Sequence, residues 1–146
     1  MLAARSYGLL VICFFLLTPL VITAQISSTD SANAYRLHTT AAYLLHKKRY
    51  EEAILCFDSV LKLIPGNRAA QIGIAEGNFH LGNYNFALSY LNRLLEMNAN
   101  DTDAVFRKAL VLLSLENYKE ALTVIDHYIQ LSPKDPEGWY YKGYCQ

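Results

Sequence analysis

The chain has 146 residues, room for one domain or two small ones. Apolar residues make up 53% and charged residues 18%, which excludes a disordered polymer. Lys+Arg 13 and Asp+Glu 13 cancel, which argues against nucleic-acid binding and a polybasic membrane patch, and Cys 3 is too few for a disulfide framework or a four-cysteine zinc site.

The first predicted element is an apolar leader. Residues 1–24 contain one base, Arg5, and no acid, and residues 8–24 read GLLVICFFLLTPLVITA. A basic start, an apolar run and then a polar stretch over 25–33 is the layout of an export signal, with cleavage expected after Ala24. Ile22 is bulky for the third position before that cut. The competing expectation is an uncleaved anchor, because 17 residues reach the short end of the roughly 20 that a membrane helix needs. Either way the rest of the chain is expected outside the cytoplasm, in a periplasm, cell envelope or extracellular space. Cys13 does not read as a lipid-attachment site, since Ile12 precedes it where a small residue is required. The run lacks a polar face, so it does not read as a helix of the folded domain.

From residue 34 onward the chain repeats every 34 residues. Ala53, Ala87 and Ala121 keep that spacing, as do Tyr50, Tyr84 and Tyr118, and Leu61, Leu95 and Ile129. The windows YEEAILCFDSVLKLIP, YNFALSYLNRLLEMNA and YKEALTVIDHYIQLSP align without a gap. Upstream, Ala41, Ala75, Ala109 and Gly143 recur in the same register. Apolar residues fall three and four apart within each window, and Pro65-Gly66-Asn67, Gly82-Asn83 and Pro133 interrupt them. Each unit therefore reads as helix, turn, helix, turn. Asp101 and Asp135 are predicted N-caps, the latter followed by Pro136 at the first helical position. The units are 34–67, 68–101 and 102–135, and 136–146 begins a fourth, carrying Trp139, Tyr140, Tyr141 and Tyr144.

These residues resemble the tetratricopeptide repeat family over 34–146, most closely at DPEGWYYKGY and at Tyr50, Ala53, Phe57 and Pro65. The resemblance implies an all-α, right-handed superhelical solenoid of antiparallel helix pairs. Its small residues would let the two helices of a unit approach closely, and Tyr50, Tyr84 and Tyr118 would fill the gaps between units. Gln71 stands where a bulky apolar residue is usual and Lys47 where a leucine is usual, so both are expected at looser edges.

The resemblance also implies a concave groove built by the first helices. Its lining is expected from Tyr35, His38, Ala42, Leu45 and His46 in the first unit, and Ala69, Ile72, Gly73, Glu76, Phe79 and His80 in the second. Asp103, Phe106, Arg107, Leu110 and Leu113 follow in the third, with Tyr140, Tyr141 and Tyr144 extending it. Such a surface suits a peptide with apolar anchors. Some members hold the C-terminal carboxylates of cytosolic chaperones with Lys, Asn and Arg. Here His38, Ala42, Gly73 and Asp103 occupy most of those positions and only Arg107 agrees, which speaks against such a clamp.

No catalytic, metal or cofactor site is predicted. His46 and His80 lie one period apart, but no further ligand recurs beside them. There is no Gly-rich phosphate loop, G-x-S-x-G or H-E-x-x-H. Cys56 lies on an apolar helix face, too far along the solenoid from Cys145 for a disulfide. Asn100-Asp101-Thr102 is an N-glycosylation triplet, meaningful only in a cell that glycosylates exported chains.

The function expected is a non-catalytic interaction scaffold, exported or membrane-anchored, that binds a partner peptide or protein, with no nucleic acid and no membrane contact beyond the leader. The alternative is a sensory or docking segment of a longer membrane-associated signalling protein or enzyme. Self-association through the aromatic 136–146 helix is a third expectation.

Overall fold

The computed structural model describes residues 28–146, so the apolar leader, its cleavage position and Cys13 lie outside the described residues. Seven helices follow in order: α1 (Ser28–His46), α2 (Tyr50–Leu63), α3 (Arg68–His80), α4 (Tyr84–Met97), α5 (Thr102–Ser114), α6 (Tyr118–Leu131) and α7 (Pro136–Tyr144). The first helix takes in residues 28–33, which sequence reading places in the polar leader.

The turn inside each unit has one design. The residues at positive φ are Lys48 (59°), Gly82 (76°) and Glu116 (57°), spaced by the repeat. Beside them Arg49, Asn83 and Asn117 N–H groups donate to the carbonyls of Leu44, Asn78 and Leu112, each at 2.9 Å. This six-to-one bond over a left-handed residue ends the first helix and turns the chain back within three residues. Only the middle unit has glycine there. A side chain in that conformation costs roughly 1–2 kcal/mol. Glu116→Gly and Lys48→Gly are each expected to raise unfolding free energy by about 1 kcal/mol, and Gly82→Ala to lower it by a similar amount, in urea titrations.

The turn between units is closed by side chains. Ala70, Ala104 and Glu137 N–H groups donate to the Oδ1 atoms of Asn67, Asp101 and Asp135 at 2.9, 3.1 and 3.0 Å. Capping oxygens at one register start the first helix of each successive unit.

Helices pack as pairs, α1 on α2, α3 on α4 and α5 on α6, and each pair contacts the next through α2–α3, α4–α5 and α6–α7. Ala41, Ala53, Ala75, Ala87, Ala109 and Ala121 are all buried, so the helices meet closely at the small positions. Phe57, Leu91 and Ile125 fill the centres of the three units, and Val60, Leu94 and Tyr128 repeat one turn later. Tyr90 packs against the cores of the first and second units, and Leu88 against those of the second and third. The core is therefore a continuous strip, which a single unit could not provide. The Tyr50 ring stacks on His80 of the next unit at 4.8 Å, and Tyr118 meets Tyr144 at 6.3 Å. The molecule is a right-handed all-α solenoid.

Gln71 corrects the expectation of a loose edge. It is 1% exposed, and neither its Nε2 nor its Oε1 has a hydrogen-bond partner among the described residues. One repeat away in either direction stand Leu37 and Val105. A buried amide without partners costs roughly 1–3 kcal/mol. Gln71→Leu should raise the urea midpoint without changing the slope, by an amount equivalent to about 1 kcal/mol or more. Lys47 does sit at the surface, with Nζ 5.5 Å from the Tyr43 ring centre.

Candidate functional site

The first helices of successive units, α3, α5 and α7, present a cleft. Its deeper part, about 200 Å³, is lined by Ala75, Glu76, Phe79, His80, Leu91, Arg107, Leu110 and Val111. Its wider part, about 480 Å³, is lined by Phe79, Leu110, Leu113, Ser114, Tyr140, Tyr141 and Tyr144. Phe79 and Leu110 belong to both, so the two form one apolar trough.

The structure brings together nine of the residues expected in the groove: Glu76, Phe79, His80, Arg107, Leu110, Leu113, Tyr140, Tyr141 and Tyr144. Others fall elsewhere. Ile72 is 7% exposed and packs with Ala75, Leu91 and Val111 beneath the trough, so it supports the surface without presenting one. Gly73 is buried, and a Cβ built on it would overlap the Phe57 ring, so it serves packing between α2 and α3. His38 lies edge-on to Phe57 at 5.5 Å, and His46 is exposed in the first unit, away from the trough lining. Phe106 packs on Tyr128 and Tyr141 at 4.8 and 5.8 Å, and holds the Tyr141 ring from behind.

Sequence reasoning missed the floor. Leu91 belongs to the second helix of its unit, and the family pattern points only to first helices. Ala75 is legible as a small repeat position, but its place under the trough follows from α3 packing on α4 beside Leu91.

Charge at the trough is internally balanced. Arg107 Nη1 donates to Glu76 Oε2 at 2.9 Å, and Arg107 Nε donates to Asp103 Oδ1 at 2.7 Å. Arg107 is the one Lys or Arg lining the trough, and two carboxylates hold it. Next to this pair, Arg68 donates to both oxygens of Asp101, at 2.5 and 2.6 Å, and to Asp103 at 3.3 Å. The Arg68–Asp103 and Arg107–Glu76 contacts join the second unit to the third, and Arg68–Asp101 ties the start of α3 to the N-cap of α5.

The hydrogen bond from Arg68 is the main cause holding the Asp101 carboxyl below its ordinary 3.8, assisted by the Ala104 N–H and against the opposing effect of burial. A folded-state value below the unfolded one adds stability that is present above pH 3.8 and lost as pH falls through the folded value. Asp101→Asn keeps the cap, as Asn67 does in the preceding turn, and removes the charge pair. It should flatten the loss of stability below about pH 4, read as thermal midpoint against pH. Asp101→Ala should cost about 1–2 kcal/mol at neutral pH through loss of the cap.

At the far turn, the Tyr128 hydroxyl donates to Asp135, and burial together with that bond pushes the phenol up to about 12. Burial likewise raises the Cys145 thiol, and Cys56 and Cys145 are free. Among the described residues, no three His, Cys, Asp or Glu side chains are grouped to hold a metal ion, and no helix is long and apolar enough to cross a membrane.

Against solved structures, the chain superimposes on the first TPR domain of Spaghetti (RPAP3) bound to the HSP90 peptide SRMEEVD. The TM-score is 0.73 at 23% identity, over 79% of this chain and 91% of that one. The chain has the tetratricopeptide-repeat fold. A family model for the anaphase-promoting complex, cyclosome, subunit 3 matches residues 80–146 of this chain. An N-terminal acetyltransferase A complex subunit-like protein of Schizosaccharomyces pombe is 27% identical over 110 residues, 73% of this chain. Protein O-mannosyl-transferase TMTC1 of Homo sapiens is 27% identical over 89 residues, 61% of this chain. The chain spans 16% and 10% of the lengths of these two relatives.

Proposed function

We propose that the protein is a non-catalytic tetratricopeptide scaffold that holds a partner protein by an apolar-anchored peptide segment in the trough, and that residues 1–24 take it out of the cytosol or anchor it to a membrane. The observation that carries the binding reading is the continuous apolar trough from Ala75 to Tyr144, whose single Arg is occupied by Glu76 and Asp103. The RPAP3 domain of the same fold is bound to the peptide SRMEEVD, which ends in Asp and carries two further acidic residues. Arg107 here is neutralised, so the occupant favoured is apolar and not a carboxylate tail. The basic start, apolar run and polar stretch support the export reading.

Affinity capture of a partner from the source cell tests the binding reading. Phe79→Ala with Leu110→Ala should abolish recovery of the partner, and Phe86→Ala, at a residue 66% exposed and outside the trough, should leave it unchanged. Equal recovery by all three chains contradicts it. A second reading, a docking segment of a longer membrane-associated protein, is favoured by the small fraction of its curated relatives that the chain spans. Sequencing the transcript on both sides of this segment decides it.

A further inference from the structure

We propose that Asn100 is the attachment site of an N-linked oligosaccharide, an inference that rests on the export reading and is independent of what the trough binds. Asn100-Asp101-Thr102 is the one Asn-x-Ser/Thr triplet in the chain. The corresponding positions of the neighbouring units are Gly66 and Lys134, so the acceptor marks a single turn of the solenoid.

Three observations make this triplet an accessible acceptor. Residues 98–100 form the exposed turn between α4 and α5, and Asn100 contributes only its backbone N–H to that turn, donating to Asn98 Oδ1 at 3.1 Å. The Asn100 amide side chain and the Thr102 hydroxyl make no hydrogen bond to another described residue, so both recognition groups of the triplet are available. The acidic middle residue would place a negative charge beside a pyrophosphate donor, but Arg68 holds the Asp101 carboxylate, which is 6% exposed. Asn100 also lines neither part of the trough, so a glycan there leaves the trough open.

The transfer is chemically complete with a lipid-pyrophosphate-linked oligosaccharide as donor. The Asn100 amide nitrogen forms a bond to the anomeric carbon. The bond from that carbon to the pyrophosphate oxygen breaks and leaves its electron pair on the lipid pyrophosphate. The amide proton passes to a base of the transferring enzyme.

The test expresses the chain with its leader in a cell whose secretory compartment carries such a donor. The recovered chain is treated with an amidase that cleaves the sugar–asparagine bond. One step of gel mobility, removed by the amidase, is expected. It should vanish in Asn100→Gln and Thr102→Ala and persist in Thr102→Ser, with unchanged helical content in all three. A chain that sits inside sealed membranes, protected from added protease, yet carries no sugar overturns the proposal and leaves the export reading standing. A chain that stays on the protease-accessible side overturns both.

Discussion

Replacing Leu91 with alanine should lower unfolding free energy by about 2–5 kcal/mol, the range for deleting a buried leucine side chain whose surroundings cannot close up. Leu91 is 0% exposed, sits in the core with Ala75, Ala87, Leu94 and Val111, and also floors the deep part of the trough. It occupies the middle unit, which has a folded neighbour on each side. Solenoid stability is approximately a sum of unit and interface contributions, so a defect in the middle weakens two interfaces. The unfolding transition should therefore broaden as well as shift, because the two ends lose the unit that couples them. Phe86→Ala on the exposed face should change stability by no more than about 0.5 kcal/mol. Urea titrations followed by helical ellipticity compare them. A Leu91→Ala chain as stable as the parent would mean that the repeat core is not the strip described.

The second large effect is expected at Gly73. A side chain there would run into the Phe57 ring, a buried centre of the first unit. Gly73→Val should cost about 3 kcal/mol, the upper part of the range for overpacking, even though losing a helical glycine by itself favours the helix. Shrinking the obstacle should recover part of that loss. In the Gly73→Val background, Phe57→Leu should cost less than it does alone, or even stabilise, so the double variant is less destabilised than the sum of the two single changes. Gly66→Ala is the control, since a Cβ there meets nothing within 4 Å and Gly66 is not among the glycines at positive φ. A neutral Gly73→Val would contradict the close approach of α3 to α2.

The contrast between Gly73 and Asp101 shows what the sequence made legible. The cap at Asp101 follows from a local rule: an oxygen-bearing side chain stands just before an apolar period and bonds the third residue on. Its ion pair with Arg68 lies 33 residues away and depends on how the starts of α3 and α5 come together, which no local pattern encodes. Gly73 sits on a first helix at a register that faces the groove in the family pattern, but missing a side chain it marks where another helix comes close. Gln71 departs from expectation for a related reason. Polarity points to exposure only on a helix with a free face, whereas α3 lies between α2 and α4 and buries residues on nearly all its sides. The left-handed positions at Lys48 and Glu116 were invisible because their residue types carry no turn signal, although Gly82 at the same register does. The trough itself was half legible. The family resemblance implies Phe79, Leu110 and the terminal tyrosines in one groove, but the Leu91 floor and the pairing of Arg107 with Glu76 need the packed units.

The most direct test of the central claim, that the trough holds an apolar partner segment, is site-specific photo-crosslinking in the source cell. A photoreactive residue is placed at Leu113 in the trough and, separately, at Ser89 on the far side of the solenoid. The account predicts one discrete adduct from position 113, lost when Phe79→Ala and Leu110→Ala are added, and none from position 89. An adduct from position 89 alone, or one from 113 that survives those two substitutions, would contradict it.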